Sequence, residues 1–174
     1  MHACKPEKRT QRKFLRLRFK QRAARFDGGL EGSRLVNEHR GLLGYTGTVG
    51  GVPVSVQTTG MGTPTTSIVM EELLNLGVET FVRIGTCGGF LHLETGDVLV
   101  AASAVASSGI GPILGFDEPT APTADFEVTN ILVEAARSEG LTTHVGPIVT
   151  SDVFYDPNPA GTARWGARGY LGVE

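Results

Sequence analysis

The amino-acid sequence predicts an α/β fold with a largely buried sheet, and three observations lead there. Runs rich in β-formers alternate with helix-patterned runs along most of the chain, the order that places helices against the faces of a sheet. Several of the β-rich runs are short and almost continuously apolar, as strands covered on both faces are. The composition, 40% hydrophobic and 20% charged over 174 residues, is that of a globular chain able to bury a core.

The elements follow in order. Residues 1–25 hold ten Lys/Arg against Glu7 alone, a net charge of +9, while the remainder carries six basic and 17 acidic residues, a net charge of −11. Such a like-charged block reads as a solvated arm, with nucleic-acid binding, membrane-surface binding or an Arg-rich transit peptide as the alternatives. No aromatic platform or groove-reading motif accompanies it, so no nucleic-acid partner is expected. Within the arm, KFLRLRFK (13–20) alternates with strand period, and QRAARF (21–26) suits a short helix. Gly28, Gly29 and Gly32 then interrupt the chain, and one domain is expected over residues 26–174.

LLGYTGTV (42–49) and VPVSVQTT (52–59) read as a hairpin joined at Gly50-Gly51. A glycine turn, Thr59-Gly60-Met61-Gly62, leads into a helix through SIVMEELLNL, with Thr63 as the expected N-cap and Pro64 at the first helical position. Ile68, Leu73 and Leu76 are its expected inner face, and Gly77 its C-terminal stop. ETFVRIG (79–85) is expected to be a short buried strand and GDVLVAASAVAS (96–107) another. Residues 107–124 read as a loop. Asp125 is the expected cap of a helix closed by Gly140. HVGPIVTS (144–151) and YLGVE (170–174) read as strands around a short helix or loop, PAGTARWGARG. No apolar run reaches the ~18–20 residues of a membrane span. The N-terminus has no secretory-signal pattern, and Cys4 and Cys87 form no disulfide framework, so a reducing, cytoplasmic setting without a membrane partner is expected.

The densest chemical signal is Arg83-Ile84-Gly85-Thr86-Cys87-Gly88-Gly89. Glycines let backbone N–H groups approach an anion, a hydroxyl adds a donor, and arginine adds a forked cation. An unpaired charge on an apolar strand is expensive, so Arg83 needs an anionic partner, either a bound anion or a carboxylate of the chain. The turn at residues 59–64 is a second place where orphan N–H groups meet a helix start. Neither turn has the P-loop or dinucleotide spacing. Cys87 reads as a small buried residue. His39, His92 and His144 share no ligand-like spacing, and no metal or other cofactor is expected.

The segments NEHRGLLGYTG, TTGMGTPTTSIVMEEL, VRIGTCGG, TSDVFY and LGVE, in this order, resemble the nucleoside phosphorylase family over about residues 34–174. The resemblance implies a three-layer sandwich with a central mixed sheet flanked by helices, and a homo-oligomer built from dimers, a hexamer in the family. It implies phosphate binding by Arg83, Ile84, Gly85 and Thr86, and by Arg40 donated to the neighbouring subunit. Met61 matches a residue lining the ribose pocket, Phe154 the aromatic that stacks on the base, and Glu174 the first residue of the family's Glu-Met-Glu stretch, assigned to the nucleoside site. From the residues alone, Phe154 and Tyr155 suit a core equally well, and Arg40 a surface ion pair.

Two departures accompany the likeness. The family's Pro-Gly-Asp-Pro phosphate loop is missing, with Arg22 the one residue placed to stand in for its arginine. The family's catalytic acid, an Asp after a Ser on a later strand, falls beyond Glu174, so no residue of the sequence is assigned as catalytic acid. Residues 1–174 by themselves are accordingly expected to turn over little. The implied reaction is cleavage of a nucleoside by inorganic phosphate, the co-substrate, to free base and ribose 1-phosphate. A purine is the preferred base, because FYDPNPA places Asn158 and Ala160 where the uridine-specific relatives carry Gln and Arg. Uridine phosphorolysis is the runner-up, and a non-catalytic chain that binds nucleoside or phosphate the second alternative.

Overall fold

The computed structural model describes residues 29–90, 93–107, 109, 122–158 and 160–174. The expected strand at 13–20, the helix at 21–26 and Arg22 lie outside them. Packing divides the chain into a unit ending at Met61 and a second running from Gly62 to Glu174.

The first unit is a three-stranded antiparallel sheet, β1 (Glu31–Asn37), β2 (Gly44–Val49) and β3 (Val52–Gln57), in that spatial order. The β2–β3 hairpin forms as expected, in register from Gly44↔Gln57 to Val49↔Val52. Its two loop residues, Gly50 and Gly51, have φ of 54° and 80°. That left-handed pair is the tight turn whose twist matches the strands, and glycine alone enters it without steric cost. Strand β1 is an element the sequence reading missed. EGSRLVN has no clean alternation, and its pairing with β2 is irregular at two points. A one-turn 3-10 helix, His39–Gly41, joins β1 to β2.

The second unit holds a mixed four-stranded sheet flanked by helices. Its order is β4 (Gly88–Gly89), β7 (Gly172–Val173), β6 (Thr143–Ser151), β5 (Val98–Ser107). Strands β5, β6 and β7 run parallel and β4 runs antiparallel to β7. Pro147 sits in the middle of β6 without an N–H to give. Opposite it β5 bulges between Ala101 and Ser103, and the carbonyl of the extra residue, Ala102, accepts from Ala124 N instead. Only two residues of YLGVE count as strand, yet ladder bonds flank them: Leu171 N donates to Pro147 O and Glu174 N to Val149 O.

Helix α1 spans Thr63–Asn75, α2 Phe126–Ser138 and α3 Ala160–Gly166. Helix α2 starts as expected: Asp125 Oδ1 accepts from Val128 N at 2.9 Å. It ends with Gly140 N bonded to Arg137 O and Leu141 N to Ala136 O, the paired closure of a helix that stops at a glycine. It packs on β5 and β6. Val100, Val133 and Val149, with Val69 of α1 and Phe90, are the buried apolar residues of this unit among those described. Val149 is 1% exposed, and burying a side chain of its size is worth about 1.5–3 kcal/mol.

Three expectations are corrected. Thr63 is the first residue of α1 rather than its cap; Gly62, at φ 85°, holds the cap position, and no side chain caps the end. The inner face of α1 centres on Val69, with Leu73 half-buried, whereas Ile68 and Leu76 are exposed. One face of a helix repeats every three to four residues, and only the neighbours decide which face turns inward. Residues 79–85 form no strand, and Val82 and Ile84 are exposed. A strand needs a ladder partner, and none among the described residues pairs with this segment.

Candidate functional site

The carboxyl end of a parallel sheet is where open α/β folds place ligands, because loops diverge there and leave a crevice. In the second unit that end is formed by Ser151 of β6 and the residues just after β7. Ser151 N donates to Glu174 O at 3.0 Å, so Glu174 is held against the last residue of β6. Its side chain forms an ion pair and hydrogen bond with Arg83. Of the two partners left open for Arg83, the structure contains the carboxylate. The pair is not sealed: the Arg83 side chain is 51% exposed, so its guanidinium remains accessible to a solute anion.

The guanidinium also folds over the glycine turn. A Cβ added at Gly85 would stand 3.3 Å from Arg83 Nη1. Ile84, Gly85 and Thr86 are all exposed around it. Gly88 and Gly89 then pair with β7, which brings the turn to Glu174. Cys87 is exposed as a residue, a correction to its expected burial. Its thiol pKa is raised, first by the partial covering of the sulfur and then by the Glu174 carboxylate, while Arg83 pulls it down. A raised thiol pKa leaves little thiolate at neutral pH, so Cys87 is poorly suited to be a nucleophile.

Next to this corner lies a cleft of about 460 Å³. Phe90, Val149 and Val173 line its apolar side, and Phe154, Arg164 and Trp165 its outer wall. Phe154 is 91% exposed and meets Tyr155 edge-on at 4.9 Å between ring centroids. It is therefore not a core residue but a ring presented to a cleft. Trp165 is itself packed edge-on by Tyr170 at 5.0 Å and flanked by the guanidinium groups of Arg164 and Arg168. Asn158 is occupied locally, its Oδ1 accepting from Ala160 N at the start of α3. Phe90, Arg164 and Trp165 had no role in the sequence reading. Their residue types gave no signal; Phe90 reaches the cleft from the end of β4, and Arg164 and Trp165 reach it from α3.

Arg40 and Met61 belong to the first unit. Arg40 is exposed and makes no ion pair among the described residues. It is also the one described non-glycine residue at positive φ, 53°. That conformation costs a residue with a Cβ about 1–2 kcal/mol, and such strain concentrates at functional positions. Met61 is 74% exposed, between Gly60 and Gly62, both at positive φ.

His144 Nε2 lies 3.0 Å from Asp97 Oδ2 at the amino ends of β6 and β5, roughly 23 Å of strand from Ser151 at ~3.3 Å per residue. That pair is remote from the cleft. Among the described residues, no group of three or more His, Cys, Asp or Glu is placed to hold a metal ion, and no helix is long and apolar enough to cross a membrane.

The structure thus sets a cation at a glycine turn beside an aromatic-walled cleft, at the edge of a mixed sheet where open α/β folds bind ligands. The chain belongs to the phosphorylase superfamily, whose family model matches residues 18–174. Among similar proteins, one from Roseobacter denitrificans named purine nucleoside phosphorylase DeoD-type is 44% identical over 151 residues, covering 83% of this chain and 63% of the relative. Relatives of the same name from Geobacillus kaustophilus and Clostridium perfringens are 41% and 39% identical over 147 residues, covering 83% of this chain and 62% and 63% of their own lengths. The chain thus spans somewhat less than two thirds of these relatives.

Proposed function

We propose that the complete protein cleaves purine nucleosides with inorganic phosphate, releasing the free base and ribose 1-phosphate, and needs no further cofactor. The observation that carries this reading is the adjacency of the exposed Arg83 guanidinium and the Phe154 cleft at one edge of the sheet. Phosphate takes the Arg83 corner, contacted by the turn of Ile84, Gly85 and Thr86, and by Arg40 of a neighbouring subunit. The base stacks on Phe154, and Met61 borders the ribose.

As the glycosidic C–N bond breaks, its electron pair leaves with the base and the sugar becomes cation-like. A phosphate oxygen then bonds the anomeric carbon, and the proton the phosphate gives up in the net reaction ends on the base nitrogen. Holding the anion in line with the anomeric carbon accounts for several kcal/mol of barrier lowering in such reactions. The exposed Leu35 and Val36 of β1, next to the turn that carries Arg40, favour a covering subunit there, and with it a homo-oligomer.

The test is incubation of the complete protein with inosine, adenosine, guanosine and uridine in phosphate, with free base and ribose 1-phosphate measured. Purine release that depends on phosphate is expected. The Arg83→Ala variant should fold normally and show a phosphate KM raised at least ~10-fold, the loss of a charge-assisted contact. Release of uracil alone, or rates indifferent to phosphate, would overturn the reading.

A further inference from the structure

Three chain segments meet at the carboxylate of Asp152, a residue with no role in the site as described. Its Oδ1 accepts from the Thr63 hydroxyl at 3.2 Å and its Oδ2 from the backbone N–H of Gly109 at 2.9 Å. Thr63 opens α1, Gly109 follows β5, and Asp152 follows the last residue of β6. The Thr63 hydroxyl reaches Asp152 because it is not engaged as a helix cap, Gly62 holding that position. Both bonds have an ionisable acceptor, which makes them stronger than neutral ones.

Two residues further on stands Phe154. Its ring is almost wholly exposed, and among the described residues its one ring contact is the edge of Tyr155. Side-chain packing therefore does not fix it, and its place over the cleft depends on the backbone of residues 151–153. That backbone is tied to β7 through Ser151 N and Glu174 O, and to itself through the Ser151 hydroxyl and Val153. Among the described residues, the hydrogen bonds of 151–153 that reach α1 and the chain after β5 are those of Asp152.

We propose that Asp152 is a positioning residue for the nucleoside: by clamping the end of β6 to Thr63 and Gly109 it holds Phe154 where a base can stack. The inference rests on the reading of the Phe154 cleft as the base site. A carboxylate suits the task because it offers two acceptor oxygens to two donors. The amide of asparagine would turn an NH₂ group toward one of them.

The experiment uses the complete protein with inosine, inorganic phosphate and hypoxanthine, the last followed by quenching of Trp165 fluorescence. Asp152→Asn should raise the inosine KM about 5–30-fold, the effect of one or two lost hydrogen bonds. The hypoxanthine Kd should weaken in parallel, while the phosphate KM and kcat stay within about twofold. Thr63→Val should give a smaller rise, and Thr63→Ser should restore the wild-type value. The Asp152→Asn/Thr63→Val double variant should be little worse than Asp152→Asn, since both remove the same bond. Thr63→Val carries the test if Asp152→Asn does not fold. An unchanged inosine KM overturns the proposal. So does a loss in which the phosphate KM, inosine KM and melting temperature all move together, which marks a merely structural role. A wild-type protein that neither binds hypoxanthine nor cleaves inosine overturns the purine reading itself, and this inference with it.

Discussion

Arg83 and Glu174 illustrate how a residue's chemistry and its partner are set by different information. That Arg83 is a cation beside a glycine turn is read directly from the sequence. That its anionic partner is Glu174, 91 positions away, follows from the ladder that brings the end of β7 against Ser151. Cys87 shares this corner, and its raised thiol pKa gives a direct test of the local field. The thiolate is the reactive form, so a raised pKa means slow alkylation at neutral pH and a rate midpoint above that of an ordinary thiol. In a Cys4→Ser background, iodoacetamide labelling of Cys87 should follow that profile. Glu174→Gln should shift the midpoint downward by removing a neighbouring negative charge, while the burial contribution stays. A midpoint unmoved by Glu174→Gln would mean the carboxylate is not beside the thiol.

Elements whose signals are local formed where the sequence placed them. The Gly50-Gly51 hairpin, the Asp125 cap of α2 and the glycine stop after it each depend on residues within a few positions of one another. Asp125→Ala should lower stability by about 0.5–2 kcal/mol, as loss of a helix cap does, read as a drop in urea midpoint at constant slope. Elements that need distant neighbours were misread. Residues 79–85 have the β-formers of a strand but no partner among the described residues, and α1 turns Val69 inward rather than Ile68. Close approach of strands sets a further limit. A Cβ at Gly172 would stand 2.7 Å from the Gly88 carbonyl oxygen and 3.1 Å from Leu99 Cδ1. Gly172→Ala should therefore push β4 and β7 apart at a cost of about 1–3 kcal/mol. Because Glu174 directly follows β7, the variant should also raise the phosphate KM. A stable variant with normal phosphate dependence would show that β4 and β7 do not position the anion corner.

At the scale of the whole molecule, the assembly is what the proposed mechanism tests most severely. If Arg40 serves the phosphate of a neighbouring subunit while Arg83 serves its own, the two defects complement. Arg40→Ala and Arg83→Ala homo-oligomers should both be impaired. Co-expressed and randomly paired, half of the dimers are hybrids, and each hybrid holds one site with both arginines. Activity should then recover to about a quarter of wild type, the arithmetic of a two-fold interface. No recovery in demonstrated hybrids would place Arg40 and Arg83 in the same subunit's site, or Arg40 outside it.

The sequence by itself determined the α/β class, the hairpin, the α2 cap, the strands β5 and β6, and the glycine turn carrying Arg83. Each is written in short-range patterns: alternation, capping residues, positive-φ glycines. Ordered motifs further marked Arg40, Met61, Phe154 and Glu174 as a set. The tertiary structure alone decided that Glu174 meets Arg83, that Phe154 faces a cleft rather than a core, that Thr63 binds Asp152 instead of capping its helix, and that Trp165 and Phe90 share the cleft wall. These are contacts between residues tens of positions apart. No periodicity records them, because they arise only when the β5–β6–β7 ladder fixes which loops emerge at the same edge of the sheet.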